Sequence, residues 1–448
     1  MKIKQLLLVA VILSAANSGW AQEKAPATET RPLTLKEAVD LGLKNSHELK
    51  NSAAKIDEAT AALREAVEQK LPGAKASGSY LRLNSANIKL RQEQDNSGGT
   101  PPDEPTKAPK VSQAMYGLLN LSLPIYAGGK IRYGIESSRY LAEASKLDAD
   151  FQKEEVAQNI VEAYINLYKA KAAVELVKDN LAQSQQRVKD FTNLEKNGIL
   201  ARNDLLKAEL QASNTELTLL DVQNNWELAN VNMDLMLGLP TTTRLEPDSS
   251  IAEAAEAVMP LEDYVQSALK GRKDISALSL QRKATETGVK IAKADKYPSL
   301  ALTGGYVALD VPKVLTVTNA VNIGVGVSYD IASLWKSKSK IQQAEARSRQ
   351  MIQNEAIVGD QVVLQVNQSY LNLLSSRKKI EVYAKAVEQA QENYRITKNK
   401  YDNSLATTTD LLDADVASLQ AKLNYVFAKA DAVVAYDKLL QTAGMPVQ

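Results

Sequence analysis

Along most of this chain apolar residues recur with a period of seven. Ile160, Leu167, Val174, Leu181 and Val188 are each seven apart, and Ala163, Ala170, Val177, Ser184 and Phe191 run three behind. A second series, Val366, Leu373, Ile380, Val387, Tyr394 and Tyr401, is trailed by Ser369, Ser376, Tyr383, Ala390 and Thr397. This spacing is the a/d seam of a coiled coil, and the small residues of the second row let helix axes come close. After a turn the period resumes at Leu405, Leu412, Leu419, Val426, Val433 and Leu440. The pattern predicts long helical hairpins. With no Pro between Ala127 and Leu239, the first arm reaches about 65–70 residues, on the order of 100 Å at 1.5 Å per residue.

The two series belong to an internal repeat. Val156 to Pro240 falls without a gap on Val362 to Pro446 at an offset of 206. Tyr164-Ile-Asn-Leu meets Tyr370-Leu-Asn-Leu, Asp204-Leu-Leu-Lys-Ala-Glu meets Asp410-Leu-Leu-Asp-Ala-Asp, and Gly238-Leu-Pro meets Gly444-Met-Pro. Upstream, Leu33 to Lys70 reads as helix with a break near Asn45, and it repeats at an offset of 226. The change of offset locates about 20 extra residues at Asn84 to Lys110, a Gly/Pro/Asp/Gln-rich exposed loop.

Between the helices the period drops to two. Val321, Ile323, Val325, Val327 and Tyr329 alternate with Asn322, Gly324, Gly326, Ser328 and Asp330. In the first copy Met115, Gly117, Leu119, Leu121 and Leu123 take the apolar positions. Gly73 to Leu83 and Ser299 to Leu309 read as the partner strands, with Lys75, Ser77 and Ser79 on a polar face. Strands of about ten residues, apolar on one side and polar on the other, suit a transmembrane barrel with a wet lumen. A soluble hairpin packed on helices is the competing explanation. Four strands cannot close a barrel, since about eight is the minimum, and open edges are not tolerated in lipid. Strands in a membrane therefore require several chains to share one barrel.

Composition narrows the field. The 448 residues carry 54 basic and 53 acidic side chains, so nothing in the net charge of +1 draws the chain to nucleic acid. There is no Cys, which excludes disulfides, thiolate metal sites and thiol nucleophiles. His47 is the only His, which disfavours His-based triads and metal clusters. Gly128-Gly129-Lys130 lacks phosphate-loop spacing and reads as a turn from strand to helix. No cofactor, no metal and no enzymatic activity are expected. Met1 to Ala21 has the charged start, short apolar run and small-x-small end of a secretory signal. Gln22 to Pro32 reads as irregular. The chain thus divides into a signal at 1–21, a first repeat at 22–240 and a second at 241–448. Strands are placed at about 73–84, 112–124, 298–310 and 320–331, and helical hairpins at about 128–238 and 334–444.

The chain resembles the TolC-like outer-membrane efflux protein family. The resemblance rests on the duplication and on a Pro opening the first strand of each half (Leu71-Pro72, Tyr297-Pro298). It also rests on Leu121-Ser-Leu-Pro-Ile-Tyr-Ala-Gly-Gly-Lys130 and on Asp-Leu-Leu-x-Ala after each tip. It implies an α+β membrane protein: a homotrimeric 12-stranded barrel in the outer membrane of a Gram-negative bacterium, continuous with a periplasmic helical tunnel. The implied function is the passive conduit of a tripartite efflux or type I secretion system. Its implied partners are a periplasmic adaptor, an inner-membrane RND or ABC-type pump and outer-membrane lipid. The alternative, a periplasmic adaptor or coiled-coil scaffold, would carry one hairpin between split β domains rather than a whole-chain duplication.

The resemblance also assigns site residues. Gly198, Ile199 and Leu200 fit the family's adaptor-docking turn, with Ser404, Leu405 and Ala406 in the equivalent place. Asp410 and Asp413 match two acidic rings at the channel constriction, and threefold symmetry would supply up to six carboxylates. Asp204 and Tyr401 match the latch between hairpins, although the usual Arg of that latch falls at Ala406. On local grounds Asp410 also fits a capping box with Thr407, and Asp413 a first-turn acid favoured by the helix dipole. The exported substrate is not legible.

Overall fold

The computed structural model describes residues 30–87, 110–248, 258–312 and 314–445. The expected signal, and nearly all of the expected loop at Asn84 to Lys110, lie outside the described residues. In chain order the elements are β1 (Thr30–Leu33), α1 (Leu35–Asn45), α2 (His47–Glu68), β2 (Gly73–Asn87), β3 (Lys110–Ala127), α3 (Lys130–Lys196) and α4 (Arg202–Leu237). There follow β4 (Arg244–Pro247), α5 (Leu261–Gly271), α6 (Lys273–Ala294), β5 (Ser299–Val311), β6 (Leu315–Ser328), α7 (Ser333–Asp402) and α8 (Thr408–Thr442). Apart from the two short strands β1 and β4, the order helix, helix, strand, strand, long helix, helix occurs twice.

Two compact units form. The first comprises residues up to Leu49, Gln152–Ala268 and Leu364–Gln448. Its core gathers the α3 seam (Val156, Ile160, Ala163, Leu167) with Leu33, Ala38, Met233, Leu237, Leu245 and Ala430. One polar group organises this apolar core. The Tyr164 hydroxyl donates to the Leu33 carbonyl at 2.9 Å and accepts the Asp248 amide at 3.0 Å. It thereby closes the end of the parallel pair of β1 and β4, Thr30 with Arg244 through Leu33 with Pro247, where the Asp248 amide also donates to the Leu33 carbonyl at 3.1 Å. This corrects the expectation that Gln22 to Pro32 is irregular: Thr30 to Pro32 lie in β1. Each strand has only four residues and contains a Pro, too short for any alternation to show.

The second unit comprises Lys50–Phe151 and Leu269–Val363. It contains one antiparallel sheet in the order β2-β3-β5-β6. The register sorts the faces. Tyr80 pairs with Met115, Ala76 with Leu119, Leu119 with Tyr306 and Tyr306 with Val321. In the next rows Leu121 pairs with Gly304 and Gly304 with Ile323, and Leu302 with Val325. All the residues of these rows share one face, as Cβ positions alternate along a strand. On the other face Lys75 pairs with Asn120, Asn120 with Gly305 and Gly305 with Asn322. The apolar face is uncovered in the single chain: Ile323 is 82% exposed. Among the described residues the outer edges of β2 and β6 have no partner strand.

The sheet leads into the helices through Gly128 (φ +62°) and Gly129 (φ +86°), both left-handed. A Cβ on Gly128 would approach Tyr297 Cβ to 3.0 Å, so backbone strain and space both require glycine there. Below the sheet α6 presents Ala277, Ala284 and Thr287, all buried, and the Ser137 hydroxyl donates to the Ala284 carbonyl at 3.2 Å.

Candidate functional site

The expected site residues all lie at or just beyond the two hairpin turns, within the first unit. The turns are built alike. α3 ends at Lys196, and the Ile199 amide returns to the Leu194 carbonyl at 2.9 Å, with Gly198 left-handed at φ +73°. α7 ends at Asp402, and the Leu405 amide returns to the Lys400 carbonyl at 2.7 Å, with Ser404 left-handed at φ +59°. Asn197 and Asn403 each donate a side-chain amide to the carbonyl four residues back, at 2.8 and 2.7 Å. Both turns thus project one large apolar residue into solvent, Ile199 at 73% and Leu405 at 77% exposed. Leu405 had been placed on the resumed heptad seam. It lies instead at the apex of the turn; further along the series Leu412 and Leu440 are buried and Leu419, Val426 and Val433 half-buried.

A small core joins the two hairpins behind their tips. Phe191, Leu205, Ala208 and Leu411 are buried together, with Leu200, Tyr394 and Tyr401 packed against them. Tyr401 stacks on Phe191 with ring centroids 5.6 Å apart. Asp204 is occupied elsewhere: its carboxylate accepts Lys207 Nζ at 3.2 Å, and the same ammonium reaches the Thr409 hydroxyl at 3.3 Å. Within one chain Asp204 and Tyr401 are not hydrogen-bonded to each other.

Asp410 forms the capping box. Its amide donates to Thr407 Oγ1 at 3.1 Å, while its carboxylate accepts the Thr407 amide at 2.9 Å and the hydroxyl at 2.7 Å. These bonds, from the hydroxyl first and the amide second, hold its carboxyl below the usual carboxylate range. The acid is therefore ionised at neutral pH and exposed. Asp413, one turn on, is also exposed. The two carboxylates share a helix face. Capping and a charged lining are compatible here, because the capping box needs the ionised form.

One group went unread in the sequence. Arg187 of α3 and Asp415 of α8 form a buried ion pair at 2.9 Å, with side chains 9% and 6% exposed. Asn180 Nδ2 reaches the other Asp415 oxygen at 3.4 Å, and Arg187 also donates to the Tyr394 hydroxyl at 3.2 Å. Burial works against the guanidinium charge, but Asp415 and then Tyr394 outweigh it and raise its pKa. One network thus joins α3, α7 and α8. Asn180 and Arg187 are seven apart, beside the apolar seam at Leu181 and Val188, and that spacing was the available signal.

An amphipathic four-stranded sheet and two long helical hairpins, repeated within one chain, define the class of fold. No described helix is long and apolar enough to cross a membrane. The chain belongs to the outer membrane efflux protein family, whose model matches residues 38–239 and 264–445, both repeats. It is an outer-membrane efflux channel, and the outer membrane is its location. Over 343 residues it is 22% identical to the outer membrane efflux protein BepC of Brucella suis, covering 75% of this chain and 74% of that one. Its fold is that of the outer-membrane channel OprN (TM-score 0.77, 18% identity, 92% and 90% of the two chains covered). It is also that of the outer membrane protein VceC of Vibrio cholerae (TM-score 0.73, 20% identity, 92% and 97% covered).

Proposed function

We propose that three copies close their sheets into one 12-stranded barrel, and that the hairpins form a tunnel through which cargo leaves the periplasm. The observation that carries this is the sheet itself: one face apolar across Leu119, Leu121, Leu302, Val321, Ile323 and Val325, and two edges, unpaired among the described residues, that lipid would not tolerate. Pairing β6 of one copy with β2 of the next leaves no edge. Native mass in detergent tests it, and a stable membrane-inserted monomer would refute it. The duplicated hairpins favour this channel over an adaptor or scaffold.

At the tunnel mouth Asp410 and Asp413 form two rings of three carboxylates that attract cations. The exposed apolar turns at Gly198-Ile199-Leu200 and Ser404-Leu405 receive a periplasmic adaptor, which opens the mouth for an RND or ABC-type pump of a tripartite efflux or type I secretion system. Asp204 and Tyr401 close the mouth by contacts between hairpins, without the Arg that Ala406 replaces. The gate is tested by Asp410→Asn with Asp413→Asn in planar bilayers. Cation selectivity and block by trivalent cations should both fall, because fixed negative charge in a narrow opening sets them. Thr407→Ala, which weakens the cap but keeps both charges, should leave selectivity unchanged. If it does not, the acids act through helix capping.

A further inference from the structure

At the end of the sheet where the strands meet the helices, Ala127 pairs with Ser299 and Ser299 with Ser328. Just beyond, Leu71, Tyr126, Tyr297, Ile331, Leu334 and Trp335 are all exposed, Trp335 at 64%. Large amphipathic rings at the end of membrane strands sit at headgroup level. The same end carries a surplus of positive charge. Asp295 is a single carboxylate against two ammoniums, Lys130 at 2.9 Å and Lys340. Against the opposing effect of burial, those two hold its carboxyl below the usual range. Lys293 is paired with Glu345 at 3.3 Å. Asp330 is turned to its own backbone, accepting the Ala332 amide at 3.0 Å. Lys70, Lys296, Lys336 and Lys338 are exposed and have no carboxylate within ion-pair distance among the described residues. From Ser333 to Lys340 the helix rises only about 10 Å, close to the Debye length of about 8 Å at physiological salt.

We infer that this collar, with Lys296, Lys336 and Lys338 beside Trp335, is a binding surface for anionic phospholipid headgroups of the periplasmic leaflet. It rests on the proposed membrane insertion of the sheet. Continuity selects the occupant: the apolar face runs directly into the aromatic residues, and these into the lysines, the order in which acyl chain, interface and phosphate follow one another in a leaflet. Long lysine side chains keep their stems on the apolar surface and their ammoniums at phosphate level. The unpaired charge selects the anionic headgroup over the zwitterionic one.

The test uses full-length protein in vesicles, with Trp20 and Trp226 replaced by Phe so that Trp335 reports alone. Lipids brominated near the headgroup should quench Trp335 more than lipids brominated deep in the chain. Energy transfer from Trp335 to dansyl-phosphatidylglycerol should exceed transfer to dansyl-phosphatidylethanolamine by about three-fold at low salt, and approach parity at 1 M salt, as a screened charge interaction does. Lys296→Gln, Lys336→Gln and Lys338→Gln together should abolish that preference and leave the shallow quenching intact. Equal transfer to the two lipids, or a preference that survives the triple variant, overturns the inference. So does an unquenched Trp335 when Val325→Trp, in a Trp335→Phe background, is quenched by deep bromines. If neither position is quenched, the sheet is not in lipid, and the barrel fails with it.

Discussion

Removing the Asp415 carboxylate is the sharpest test of what holds the hairpins together. At 2.9 Å and an effective dielectric of about 20, the attraction between Arg187 and Asp415 is ~6 kcal/mol. Taking each charge out of water costs several kcal/mol, so the pair gains little over a well-packed apolar substitute. Asp415→Ala is a different matter, because it leaves a buried guanidinium whose remaining hydrogen-bond partner in the network is the neutral Tyr394 hydroxyl. Such uncompensated burial costs ~3–5 kcal/mol, and the Tyr394 hydrogen bond argues for the lower end. The double variant Arg187→Met with Asp415→Leu removes both charges and should recover to within ~1 kcal/mol of wild type. Urea unfolding of the detergent-solubilised protein, followed by far-ultraviolet circular dichroism, measures all three. A single-variant loss below ~1 kcal/mol, or a double variant as unstable as the single, would refute the assignment of a desolvated pair.

Gly198→Ala should cost ~1 kcal/mol from left-handed backbone strain alone, since a Cβ there meets nothing within 4 Å; an unchanged melting temperature would contradict it. Val325→Arg on the apolar face should destabilise the assembled barrel by ~2–4 kcal/mol, while Asn322→Lys on the polar face is tolerated; comparable assembly yields in membranes would reverse the face assignment. Asp437 of α8 is buried, and burial pushes its carboxyl up to about 6. Its folded-state pKa thus exceeds the unfolded value, the folded state binds the extra proton between about pH 4 and 6, and stability falls as pH rises through that window. Asp437→Asn should therefore stabilise the protein by ~2–3 kcal/mol at pH 7.5 and by much less at pH 4, read from melting temperatures across that range.

The heptad seams and the strand alternation were legible because each expresses one period over many residues. Ile160, Leu167 and Leu181 are buried as the spacing required, and Val321, Ile323, Val325 and Val327 lie exposed on one face of their strand as the alternation required, although that strand starts at Leu315 rather than near residue 320. The break between α1 and α2 was legible near Asn45. β1 and β4 were not, because four residues interrupted by Pro carry no period, and their pairing depends on a contact nearly the length of one repeat away. Arg187 and Asp415 were unread for another reason: polar residues beside an apolar seam look like a solvated flank until a partner from another helix covers them. At the tips, sequence likeness marked Asp204 and Tyr401 as a pair. The chain spends Asp204 on Lys207 and Tyr401 on Phe191, so any joint action waits for a second copy.

The parallel pairing of Thr30–Leu33 with Arg244–Pro247 has a consequence in time. A chain made and exported from its N-terminus delivers β1 first, but β1 finds its partner only after more than 200 further residues have arrived. The core around Tyr164 also needs Ala430, in the last helix. Contacts so distant in sequence form slowly, and until then the α3 seam is exposed apolar surface, prone to associate with other chains. The central core therefore stays incomplete until Ala430 has emerged, and a chaperone that shields helical seams would act in that interval.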